Sequence, residues 1–290
     1  MDRRNFIKVI GTVGACSLAK GLKAEVTEEN RKEFVGVLCD TTRCIGCRSC
    51  EIACSEVNGN YVPDILNDKA LERERTTSEK QWTVVNRYKT EKGDIYVKKQ
   101  CMHCWQPACA AACLVNAMYK TKEGPVIWLS DRCMGCRFCM VSCPFDIPKF
   151  EYNSWNPKIQ KCILCWDRFK KGKKPACVEA CPVDALMFGL KRKIIEIARV
   201  RIYNHPTKYY HSIYGENEAG GCSWLYLAEV PFEQLGFRTD LGTTPFPEYT
   251  REFLYAVPVV LLAWPSMLLG LNYLMRSRKE EKTMEVKHDE

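Results

Sequence analysis

No glycine-rich phosphate loop, no nucleophile–base arrangement and no C-x-x-C-H haem-attachment motif occurs in the 290-residue sequence. Nucleotide-driven chemistry, nucleophilic catalysis and covalently held haem lose their support. A nucleic-acid motif is missing too, as is any stripe of Lys and Arg interleaved with aromatic residues. The chain is nevertheless basic, with 43 Lys and Arg against 35 Asp and Glu, a formal charge of +8. That surplus calls for an anion other than nucleic acid.

Cysteine is what the chain has in abundance, 19 residues, sixteen of them in four groups of four. The groups are Cys44-x2-Cys47-x2-Cys50-x3-Cys54, Cys101-x2-Cys104-x4-Cys109-x3-Cys113, Cys133-x2-Cys136-x2-Cys139-x3-Cys143 and Cys162-x2-Cys165-x11-Cys177-x3-Cys181. Pro144 and Pro182 follow the last two groups; Ser55 and Leu114 stand there in the first two. Disulfide scaffolds are short and scatter their cysteines. Zinc accounts for paired C-x2-C motifs but not for C-x2-C-x2-C-x3-C-P, the bacterial ferredoxin run. Soft, electron-rich thiolate suits iron–sulfur cores that cycle between two charge states. Each [4Fe-4S] cubane takes four thiolates, so sixteen cysteines match four clusters. An oxidised core near +2 with four thiolates carries about −2, or about −8 for four, and the basic surplus answers it. All four coordination positions are filled, which argues against an enzyme acting at an exposed cluster and for a carrier of electrons.

The two ends carry membrane signals. Arg3-Arg4-Asn5-Phe6-Ile7-Lys8 and the apolar run Val9 to Ala19 resemble a twin-arginine export signal, assigned to residues 1–24. That route carries folded, cofactor-loaded proteins, so clusters inserted before export protect their own thiolates. Cys16 sits in a loose lipoprotein-like box and reads as an incidental residue of the apolar run. Near the other end, Phe253 to Met275 is 23 residues without a charge. At about 1.5 Å per residue it reaches about 34 Å, enough to cross a bilayer core. Pro258 and Pro265 are tolerated in such a helix. Arg276, Arg278 and Lys279 follow, which places the 277–290 tail in the cytoplasm and the cysteine-rich body on the periplasmic side.

Between the ends, residues 35–190 hold all four groups. Cys44-Ile-Gly46-Cys47-Arg48-Ser-Cys50 and Cys133-Met-Gly135-Cys136-Arg137-Phe-Cys139 form an internal repeat, C-x-G-C-R-x-C. Trp82 to Val85 and Ile95 to Val97 read as strands about a turn at Glu91-Lys92-Gly93-Asp94, and residues 126–129 as a further short strand. Lys170 to Lys174 is a solvated loop. Residues 191–247 form an extension and linker with an amphipathic helix at Lys191 to Tyr203 and a strand within Cys222 to Val230; residues 248–276 are the anchor. The fold class expected is α+β, two ferredoxin-like modules with hairpin insertions and one C-terminal transmembrane helix. His103 packs or hydrogen-bonds near a cluster, and His205 and His211 belong to the surface. Trp105, Trp155 and Trp166 read as hydrophobic shielding of the ligands. Cys39 and Cys222 are left over as buried thiols.

The twin-arginine start, Cys101-Met102-His103-Cys104, the four runs and the anchor together resemble four-cluster ferredoxin-like electron-transfer subunits of exported respiratory oxidoreductases. Within these, the segment Tyr209 to Gly221 favours the membrane-anchored subunit that partners periplasmic [NiFe]-hydrogenase. The resemblance implies a non-catalytic relay between a periplasmic catalytic subunit and an integral-membrane quinone-reactive subunit; the same role for a molybdopterin enzyme such as formate dehydrogenase is the alternative. It also implies the ligand sets. One cluster takes Cys44, Cys47, Cys50 and Cys181, and its neighbour Cys54, Cys162, Cys165 and Cys177. A third takes Cys101, Cys104, Cys109 and Cys143, and the last Cys113, Cys133, Cys136 and Cys139.

Overall fold

A computed structural model describes residues 33–288. The export signal at 1–24 and Cys16 lie outside the described residues, and everything below concerns the unit from Phe34 onward. The elements in chain order are β1 (Val35–Asp40), α1 (Ser49–Asn58), β2 (Val84–Thr90), β3 (Gly93–Lys99), α2 (Ala108–Ala111), β4 (Met118–Lys120), β5 (Val126–Trp128) and α3 (Phe138–Val141). Then come β6 (Lys149–Phe150), β7 (Ile159–Gln160), α4 (Trp166–Lys170), α5 (Ala176–Glu179), β8 (Leu186–Leu190), α6 (Lys191–Asn204), β9 (Trp224–Leu227) and α7 (Glu248–His288). Helix and strand are mixed throughout, as an α+β class requires.

A three-stranded sheet, β8-β1-β9, organises the body. β1 runs antiparallel to β8 and parallel to β9, with Cys39 opposite both Leu186 and Tyr226. Its sequence VGVLCD has no polar face because both sides are covered. Val35, Val37 and Cys39 join Trp224 and Tyr226 in a core that includes Ile95, Val97 and Cys177. The alternate residues Leu38, Leu225 and Leu227 face Ile194 and Ala198 of α6. Period-2 alternation thus divides one short sheet between two cores, and burying Leu38 and Ile194 stabilises the α6 side by about 1.5–3 kcal/mol per residue. The stretch after residue 190 is integral to this sheet: α6 covers one face, and β9 is an edge strand no longer than Trp224–Leu227.

β2 and β3 pair from Val84↔Lys99 to Thr90↔Gly93 about the turn Glu91-Lys92, so the hairpin is longer than its apolar core suggests. β5 pairs with β4, and β6 with β7. Lys170 to Lys174 is exposed, as are His205 and His211. α7 contains Pro258 and Pro265. Its stretch Glu248–Arg276 is long and apolar enough to cross a membrane, and none of that apolar window is buried against the body.

The internal repeat is present in the backbone. Gly46 and Gly135 have φ of 71° and 72°, and Arg48 and Arg137 have φ/ψ of 61°/8° and 61°/7° immediately before α1 and α3. Gly46 is needed twice over, because a Cβ there would also lie 2.4 Å from the Tyr96 ring; at Gly135 the nearest atom is 4.0 Å away. A second repeat, P-A-C-x-x-A-C, spans Pro107–Cys113 and Pro175–Cys181, and each copy makes one helical turn, α2 or α5, directly after its proline. α1 packs against α5, and α2 against α3.

Candidate metal-cluster sites

The short helices bring cysteines from distant runs together. Cys44, Cys47, Cys50 and Cys181 line one cavity, and Cys113, Cys133, Cys136 and Cys139 line another. Cys54 has Cys162, Cys177 and Cys165 as electrostatic neighbours, and Cys109 has Cys101, Cys143 and Cys104. Cys50 also feels Cys177, and Cys162 feels Cys101, so three of the four groups follow one another. α2 carries Cys109 and leads into Cys113, and α3 carries Cys139 and leads into Cys143, which joins the third group to the fourth.

Backbone amides converge on these sulfurs. Ala117 and Met118 donate to Cys113 Sγ at 3.2 and 3.4 Å, and Leu164 to Cys162 Sγ at 3.4 Å. The amides of Gly46, His103 and Ala176 support Cys44, Cys101 and Cys165. Turning amides inward requires left-handed residues. They fall at Gly46 and Arg48, at His103 and Leu164 just before the second cysteine of their runs, and at Asn116, Asp146 and Asp184, each three residues after a fourth cysteine. After glycine, Asn and Asp accept that conformation most readily.

Burial pushes the Cys44 and Cys139 thiols up to about 11, and those of Cys143 and Cys162 to about 12. Burial favours the protonated form of these four thiols, and a cationic core is what makes thiolates favourable there. All eighteen described cysteines are free thiols, Cys39 and Cys222 included. Among the described residues no three His, Cys, Asp or Glu side chains converge closely enough to hold a single metal ion. Tetrahedral zinc needs its sulfurs about 2.3 Å from one centre. Four sulfurs spread around a cavity fit a cubane, in which each iron takes one thiolate.

His103 is fully buried, and its Nδ1 accepts from the Val126 amide at 2.9 Å. The proton is thereby placed on Nε2, which has no partner among the described residues. Burial, then the nearby Lys161, Lys120 and Lys98, push its pKa well down. The tryptophans divide. Trp166 is half-buried and stacks on Phe169 at 5.6 Å. Trp105 is exposed and lies 4.4 Å from Phe34. Trp155 shields nothing, because the β6–β7 connection projects it fully into solvent. Cys39 lines the cavity of the first set, and Cys222 bridges backbone to backbone with Cys104.

The residues that spacing alone misses are charged and buried. Glu51, one position after Cys50, accepts from Arg48 at 3.1 Å, Arg75 at 2.5 Å, Gln81 at 2.8 Å and the Val85 amide at 2.6 Å, tying the first run to the β2–β3 hairpin. Lys98 and Lys161 are also buried. Only their closeness to Cys101 and Cys162 in the sequence could have drawn attention to them.

The family described as 4Fe-4S dicluster domain matches residues 94–191. A protein of Nitratidesulfovibrio vulgaris is 45% identical across 97% of this chain and 78% of its own length. The hydrogenase-2 operon protein HybA of Escherichia coli is 34% identical over 95% of both chains. The formate dehydrogenase-O iron-sulfur subunit of Escherichia coli is 34% identical over 73% of this chain and 72% of its own. With thiols gathered around cavities, amides turned onto their sulfurs and likeness along almost its whole length, the chain belongs to the family of iron–sulfur electron-transfer subunits that includes HybA and the formate dehydrogenase iron-sulfur subunits.

Proposed function

We propose that the protein relays electrons through four [4Fe-4S] clusters between a periplasmic catalytic subunit of hydrogenase type and a quinone-reactive subunit in the membrane. The carrying observation is the gathering of sixteen cysteines into four groups, each mixing cysteines of two runs or completing one run with a cysteine of another. The first and fourth runs share one pair of clusters, and the second and third runs the other, in two ferredoxin-like modules. The packing of α1 on α5 and of α2 on α3 supports that pairing. The ligands are Cys44, Cys47, Cys50 and Cys181; Cys54, Cys162, Cys165 and Cys177; Cys101, Cys104, Cys109 and Cys143; and Cys113, Cys133, Cys136 and Cys139.

A bound cubane supplies one-electron oxidation and reduction at nearly constant geometry. The chain's part is to hold the thiolates, donate amide hydrogen bonds to them and exclude water, which set the potential. Filling all sixteen positions leaves no ligand site for substrate, which supports a carrier without catalysis of its own. The apolar stretch of α7 supports anchoring, and Arg276, Arg278 and Lys279 after it favour the body on the periplasmic side and residues 277–290 in the cytoplasm. The similarity to HybA over 95% of both chains favours a hydrogenase partner. The formate dehydrogenase subunits keep a molybdopterin partner as the second reading. Affinity isolation of the intact membrane complex tests the proposal. A hydrogenase large subunit in the isolate bears it out; a chain that isolates alone and turns over a substrate overturns it.

A further inference from the structure

Lys98 stands on β3 two residues after Tyr96, so both side chains leave the same face of the strand. Tyr96 lies against Gly46 of the first run, and Lys98 lines the cavity formed by Cys44, Cys47, Cys50 and Cys181. The residue is buried. Its Nζ donates to Gln100 Oε1 at 2.8 Å and lies 4.4 Å over the Trp224 ring. Gln100 Nε2 donates to Tyr226 Oη at 2.6 Å, and Tyr226 Oη to the Lys98 carbonyl at 2.8 Å, closing a buried ring that holds the ammonium in place.

No carboxylate pairs with it among the described residues. The two fully buried acids are taken elsewhere, Glu51 by Arg48 and Arg75, and Asp40 by Arg201. One neutral amide oxygen and an aromatic face leave a desolvated cation largely uncompensated. Among the described residues, the groups that can face it as anions are cysteine sulfurs. Cys177, Cys50, Cys162 and Cys54 are its electrostatic neighbours. Those four belong to two different ligand sets.

We infer that Lys98 is a positioning residue, the shared counter-cation of the Cys44/Cys47/Cys50/Cys181 and Cys54/Cys162/Cys165/Cys177 sites, and that its fixed charge raises the reduction potentials of both. Reduction adds one negative charge to each site, and a cation already in place favours the reduced form. Lysine suits the role because its charge is a compact point on a slender stem. This rests on the cluster reading above.

The test is a potentiometric titration followed by electron paramagnetic resonance on the full chain, purified anaerobically in detergent. Lys98→Met keeps length and removes charge. Two of the four midpoints should fall, lowering the reduced-to-oxidised ratio at fixed potential about tenfold, about 59 mV for a one-electron couple, while the other two stay in place. Four unmoved midpoints, or four that move together, overturn the inference. If Lys98→Met loses iron, Lys98→Arg decides: iron content and midpoints restored by Arg support the charge, and iron lost in both variants overturns it. Fewer than four cluster signals in the unaltered protein would instead defeat the cluster reading itself.

Discussion

At the scale of single residues, the same sequence pattern does different work in its two copies. Gly46 and Gly135 share one backbone conformation, yet only Gly46 has a ring against its α-carbon. Gly46→Ala should therefore cost more than the about 1–2 kcal/mol of the left-handed conformation, whereas Gly135→Ala costs only that. Thermal unfolding with iron content compares them, and equal losses would contradict the contact. Tyr96→Ala should recover part of the Gly46→Ala deficit. Arg48 and Arg137 diverge likewise: Arg48 is buried on Glu51, while Arg137 lies over the Phe150 and Tyr152 rings. Removing the carboxylate from Glu51 leaves two guanidinium groups without their partner, one of them buried. Glu51→Gln should destabilise the protein by about 3–5 kcal/mol, read from denaturant midpoints. A change below about 1 kcal/mol would show that the network is incidental.

At the scale of elements, legibility followed the strength of the local pattern. The amphipathic periodicity of α6 and the paired apolar runs of β2 and β3 are properties of contiguous residues, and they appear where expected to within a few positions. β9 was visible as an apolar stretch, but its parallel partner β1 lies nearly 190 residues earlier, beyond any local signal. The second repeat, P-A-C-x-x-A-C, stood open in the sequence but was hidden by unequal gaps, x4 in one run and x11 in the other. α7 is the clearest element: an uncharged stretch with no buried face must be covered by lipid or by another chain. Truncation before residue 248 should release the protein from membranes into the soluble fraction. Persistence in the carbonate-washed pellet would mean that contacts with partners, not α7, hold it there.

At the scale of the molecule, the order of cluster sites predicts which substitutions act alike. Cys44→Ser and Cys181→Ser, 137 positions apart, should remove or convert the same cluster, whereas Cys177→Ser acts on its neighbour. Electron paramagnetic resonance of the three variants decides, and Cys181→Ser matching Cys177→Ser instead would refute the crossed pairing. The export signal expected at residues 1–24 makes a further demand. Replacing Arg3 and Arg4 by Lys should leave cluster-loaded protein inside the cell, and undiminished export would remove the targeting claim.

The cofactor class, the number of thiolates and the apolar anchor followed from the sequence, because spacing between covalently linked cysteines and an unbroken apolar run are one-dimensional quantities. Which cysteines of distant runs line one cavity, why Trp155 shields nothing and why Lys98 lacks a carboxylate among the described residues were decided by tertiary structure. Each depends on what distant strands and helices bring into contact. A buried charge in particular has no signature along the chain, since its environment is assembled only when Gln100, Trp224 and four cysteines from two runs close around it.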